Sequence, residues 1–70
     1  LVTGMASFIY IIPVYNEEAD LPKLIARLVP FLKARPGSHL VIADNGSRDA
    51  TWNKIEEGMR QHPGWVTGLR

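Results

Sequence analysis

The chain has 70 residues, 46% of them apolar and 21% charged, which is the composition of a globular protein and not of a disordered tail. A chain of this length removes only about 60% of its unfolded surface from water on folding, so a complete multi-layer enzyme does not fit. Eight basic and seven acidic residues leave a net charge of +1; the bases are scattered along the sequence, with no stripe for a nucleic acid backbone, and the lack of cysteine excludes a disulfide framework or a thiolate zinc site.

Residues 1–4, ahead of Met5, read as a cloning remnant and are left out of the fold reading. The start does not read as a signal peptide, because no charge precedes the apolar stretch and no small-residue cleavage site follows it. The longest apolar run, residues 8–14, is far short of the roughly 20 residues that span a bilayer. Within it, Phe8-Ile9-Tyr10-Ile11-Ile12 has no alternation, the pattern of a strand buried on both faces of a parallel sheet and ending at Pro13. From Asp20 the period becomes helical. Leu21, Leu24, Ile25, Leu28 and Leu32 fall at i, i+3, i+4, i+7 and i+11, with Asp20 as N-cap, Pro22 in the first turn and Pro36-Gly37 as the stop. Pro30 lies inside this pattern, where it removes a hydrogen bond at a cost of about 3 kcal/mol and predicts a kink or an early end.

His39-Leu40-Val41-Ile42-Ala43 is a second strand, and the polar cluster Asp44-Asn45-Gly46-Ser47-Arg48-Asp49 is a loop. Asn45-Gly46 would suit a hairpin turn, but a helical period follows, so Gly46 instead supplies a positive φ. Trp52, Ile55 and Met59 line the apolar side of a second helix stopped by Gln61-His62-Pro63-Gly64, and Trp65-Val66-Thr67 opens a third strand. The order predicts an α/β fold: a βαβαβ half of a doubly wound, mostly parallel sheet with right-handed crossovers.

In such a sheet ligands bind beyond the carboxyl ends of the strands. Here those ends carry Pro13-Val14-Tyr15-Asn16-Glu17-Glu18 and residues 44–49. Neither segment is a phosphate cradle, since both lack a glycine-rich turn and a Walker lysine, and Glu17, Glu18 and Asp20 would repel phosphate at the first helix entrance. Carboxylates and an amide do suit a base and a ribose, whose N–H and O–H groups need acceptors, and Tyr15 offers a flat face. Structural uses compete with this one. Glu17 and Glu18 complement a helix dipole, Asp49 is a good N-cap for the second helix, and Pro13 can simply end a strand. Asp44 has the weakest structural explanation. His39 and His62, without a third ligand, read as a strand-edge and a turn residue, and Trp52 and Trp65 as core.

Ile11-Ile12-Pro13-Val14-Tyr15-Asn16-Glu17-Glu18 resembles the opening motif of family 2 glycosyltransferases, and Asp44-Asn45-Gly46-Ser47-Arg48-Asp49-Ala50-Thr51 resembles their second motif, usually Asp-Asp-Gly-Ser-x-Asp-Gly-Thr. The resemblance implies that residues 5–70 are the N-terminal, truncated part of such a domain, the Rossmann-like nucleotide-binding half of a GT-A fold. It implies a transferase, of hexosyltransferase type, moving a sugar from a UDP- or GDP-sugar to an acceptor hydroxyl. Pro13, Tyr15, Asn16, Glu17, Asp44, Asn45, Gly46 and Ser47 would then bind the nucleoside of the donor.

Asn45 stands where many members have a second Asp, so an acceptor-only carboxylate becomes an amide that both donates and accepts, and Ala50 replaces the usual Gly. The family's divalent metal (Mg or Mn), its Asp-x-Asp ligands and its catalytic base are expected from later segments, so these 70 residues alone are expected not to transfer sugar. The other readings are a non-catalytic nucleoside-diphosphate module and a fragment that self-associates through an exposed sheet edge. Location in the cytoplasm is implied, or at the cytoplasmic face of a membrane where a longer parent carries membrane segments.

Overall fold

The computed structural model describes residues 8–70; the cloning remnant read at residues 1–4 lies outside them. Five elements follow in order: strand β1 (Ile9–Val14), helix α1 (Leu21–Lys33), strand β2 (His39–Asp44), helix α2 (Thr51–Gln61) and strand β3 (Val66–Leu69). The three strands form one parallel sheet in the order β1-β2-β3. This is the expected α/β arrangement, a truncated Rossmann-like half.

Because the strands are laid down in sequence order, two crossovers of the same hand put both helices on the same side of the sheet. The core forms there: Leu40 and Ile42 of β2 are wholly buried beneath Leu21, Ile25, Val29 and Leu32 of α1, Ile55 of α2 and Val66 of β3. Trp52, Met59 and Trp65 are half-buried against it. The opposite side of the sheet has no covering layer among the described residues. Ile9 and Ile11 are each 66% exposed, which corrects the expectation that the first strand is buried on both faces.

Three further expectations change. β1 does not end at Pro13 but runs through it to Val14. The Phe8 and Val14 carbonyls both accept hydrogen bonds from β2-side amides, of His39 and Asn45. Even-numbered residues of β1 therefore bond to β2, and the N–H that Pro13 lacks belongs to the free edge, the place where a strand tolerates proline. α1 likewise continues past Pro30, whose ring is exposed, to Lys33. Val29 and Leu32, buried on either side of it, each contribute roughly 1.5–3 kcal/mol, enough to offset one missing bond. Asp20 occupies the N-cap of α1, but its side chain makes no capping hydrogen bond; the Glu17 carbonyl instead accepts the Asp20 and Leu21 amides.

His39 ties β2 to the start of β3. Its Nδ1–H donates to the Gly64 carbonyl (3.0 Å), and Nε2 accepts from the Thr67 hydroxyl (2.7 Å). Two glycines unnoticed in the sequence let the layers close. A Cβ on Gly68 would collide with Ile55 Cγ2 and stand 3.2 Å from two Trp52 ring carbons, whereas one on Gly58 would come 2.8 Å from the mobile end of Ile25. We expect Gly68→Ala to cost about 1–3 kcal/mol in urea unfolding. Gly58→Ala should cost less, because Ile25 Cδ1 can turn aside and alanine gains about 1 kcal/mol of helix propensity. Equal losses for the two variants would contradict this packing.

Candidate functional site

The register aligns Pro13 with Ala43 and Val14 with Asp44, so the segments leaving β1 and β2 emerge side by side. They are laced together by side chains of the second loop that accept backbone amides of the first. The Asn16 amide donates to Ser47 Oγ (2.8 Å), the Glu17 amide to Thr51 Oγ1 (2.8 Å) and the Glu18 amide to Asp49 Oδ2 (3.4 Å). In return Asn16 Oδ1 accepts the Arg48 amide (2.9 Å). Asn16 adopts this position with a φ of 51°, a left-handed conformation that asparagine tolerates better than most residues.

Thr51 is completely buried. Its amide donates to Asp49 Oδ1 (2.9 Å) and its hydroxyl donates to the same oxygen. Asp49 thus braces the start of α2 one residue before its cap position, Ala50. The Thr51 hydroxyl holds the Asp49 carboxyl below its ordinary value of 3.8; desolvation opposes it, and the amides of Thr51, Glu18 and Asp49 add smaller lowering effects.

The predicted site residues divide by what they do. Asn16 and Ser47 hold the loops together; Ser47 also donates its amide to Asp44 Oδ1 (2.9 Å), and its hydroxyl proton has no acceptor among the described residues. Gly46 turns the second loop with a φ of 82°. Asp44 is 7% exposed, and its second oxygen, Oδ2, accepts no hydrogen bond from the described residues. Tyr15, Glu17 and Asn45 are exposed. Pro13 and Glu17 line a cavity of about 270 Å³ with Ile12, Val14, Asp20, Leu21 and Leu24. It lies beside β1 and the first turn of α1 and excludes Asp44 and Asn45, so one cavity does not gather all eight residues.

Among the described residues no three His, Asp or Glu side chains stand close enough to hold a metal ion. The sequence reading missed the central position of Thr51, although Asp49-Ala50-Thr51, with a carboxylate two residues ahead of a helix-starting threonine, carries the signal.

The depressed Asp49 carboxyl has a pH consequence. Its stabilising effect is fully present above the ordinary value and is lost as pH falls from about 3.8 through the lowered native value. Acid titration followed by circular dichroism should show Asp49→Asn lacking that part of the acid transition; an unchanged acid limb would mean that the Thr51 contact does not hold the carboxylate ionised.

Residues 10–66 match the family described as Glycosyl transferase family 2. Among curated proteins, the chain is similar to an undecaprenyl-phosphate 4-deoxy-4-formamido-L-arabinose transferase of Shewanella sediminis (strain HAW-EB3), 43% identical over 61 residues, which cover 84% of this chain and 18% of that protein. A protein of the same name from Pseudomonas fluorescens (strain Pf0-1) is 46% identical over 48 residues, covering 67% of this chain and 14% of that protein. The chain thus spans less than a fifth of the length of either relative. No solved structure matches it. With a match running from the second residue of β1 to the first of β3, through both laced loops, the chain belongs to glycosyltransferase family 2.

Proposed function

We propose that the chain supplies the nucleoside site of a transferase that takes a glycosyl unit from a nucleotide diphosphate sugar. The observation that carries this reading is the lacing of the two strand-end loops, which leaves Asp44 Oδ2, the Tyr15 ring and the Glu17 carboxylate uncommitted among the described residues. A base offers N–H donors to Asp44 and Asn45 and a flat face to Tyr15, and ribose offers hydroxyls to Glu17. Pro13, Asn16, Gly46 and Ser47 shape the backbone around them. In this reading these groups bind and orient a donor, and the chain alone transfers no sugar, because the catalytic base expected in the family is not among the residues of the two motifs. The divalent metal expected in the family would be held by residues beyond these.

The relatives' names carry an undecaprenyl phosphate and an arabinose derivative. On that basis the acceptor proposed is a polyprenyl phosphate oxygen in place of a hydroxyl, and the transferred unit is of the arabinose kind and not a hexose. The corresponding location is the cytoplasmic face of a membrane; no helix among the described residues is long and apolar enough to cross one.

Titration with UDP, GDP and ADP, with and without magnesium, should move amide resonances only in residues 13–18 and 44–49, with one base preferred. Unmoved resonances in a folded chain would sink nucleotide binding by this segment, and turnover of a sugar nucleotide would refute its inactivity. A second reading, self-association, is favoured by the free edge of β1 and by exposed Ile9, Ile11 and Leu69. Sedimentation should then depend on concentration, and a monomer at high concentration would dismiss it.

A further inference from the structure

All seven acidic residues, Glu17, Glu18, Asp20, Asp44, Asp49, Glu56 and Glu57, lie outside residues 21–35, while four of the eight bases, Lys23, Arg27, Lys33 and Arg35, lie inside. Helix α1 turns this segregation into a surface. Buried Leu21, Ile25, Val29 and Leu32 fix the side that meets the sheet. At about 100° per residue, Lys23 and Arg27 then stand on the opposite side with Pro30 and Ala34, flanked by Lys33 and Arg35. All six are exposed.

The sole ion pair among the described residues joins Lys54 to Glu57 on α2 (3.8 Å), so none of the four bases is within salt-bridge distance of a carboxylate there. The nearest acids are at the margins: Asp20 beside Lys23 and Arg27 at the helix entrance, and Glu57 across from Pro22 and Ala26. Phe31 is also exposed. Its ring carries the Arg35 guanidinium 3.6 Å above it and meets Tyr10 edge-on at 5.7 Å.

We propose that the outward side of α1 docks on an anionic phospholipid surface. A helix whose outward side carries four bases, with a single acid, Asp20, at its entrance, complements the continuous negative charge of such a headgroup layer. The apolar side of α1 is committed to the core, so the contact is electrostatic, reversible and salt-sensitive, without helix insertion. Single-stranded RNA is a poorer match, because base stacking needs an open aromatic face and Arg35 already covers that of Phe31. The proposal goes beyond the nucleoside site and does not depend on it: nucleotide titration reads the strand-end loops, and vesicle binding reads α1.

The test is co-sedimentation of the chain with vesicles of phosphatidylcholine alone and with about one-third phosphatidylglycerol, at low and high salt. Binding is expected only to the anionic vesicles and should weaken as salt rises. Lys23→Gln with Arg27→Gln should weaken it by about tenfold or more. Lys54→Gln with Arg60→Gln removes the same charge from α2 and should change it by less than about threefold. Circular dichroism confirms that each variant is folded. No binding to anionic vesicles by the folded chain would overturn the proposal. So would equal losses in the two double variants, equally tight binding of polyuridylate, or binding abolished by inorganic phosphate at constant ionic strength.

Discussion

The hydroxyl of Thr51 holds the two strand-end loops as a single unit. Completely buried, it accepts the Glu17 amide from one loop and donates to Asp49 in the other, while Asp49 also receives the Thr51 and Glu18 amides. Four hydrogen bonds cross between the loops. At about 1 kcal/mol net apiece they exceed the roughly 1–2 kcal/mol that a non-glycine residue costs in the left-handed region, so Asn16 can hold its φ of 51°. Without the Thr51 hydroxyl the Glu17 amide would lose its acceptor, and the loops would be joined at fewer points.

This division of labour gives the family motifs a physical reading. Asn16, Ser47, Asp49 and Thr51 bond to the chain itself, whereas Tyr15, Glu17 and Asn45 are exposed and Asp44 keeps one free oxygen. The first group is polar because amides leaving a parallel sheet need acceptors once the ladder ends. In the second group only Asp44 has such an obligation, one oxygen holding the Ser47 amide, and the proposed ligand contacts fall on what is left uncommitted among the described residues.

Element order was legible because the apolar period changes cleanly from the continuous run at residues 8–12 to the helical stripe from Leu21, and again on either side of residues 44–49. The loops that carry the candidate site were legible as dense polar segments at strand ends. What sequence could not convey was context. Pro30 pointed to a kink or an early end, but its neighbours Val29 and Leu32 are buried and carry the helix through it. Asp20 has the right chemistry and position for a cap, yet the Glu17 carbonyl takes the amides at that entrance. Ile9 and Ile11 showed that β1 suits burial on both faces, without showing that both crossovers of this chain lie on the same one. Gly58 and Gly68 became informative only once Ile25, Ile55 and Trp52 were seen against them.

Pro13 also limits how the sheet can grow. Along the free side of β1 the amides of Ile9 and Ile11 point outward, but the next donor in that row is missing. A strand added there can bond to the amides of Ile9 and Ile11 but meets no donor at Pro13, just before the laced loops. Backbone pairing that extends the sheet on this side is therefore weakest at the carboxyl end of β1, next to Glu17, where one imino acid leaves a gap in the row of donors.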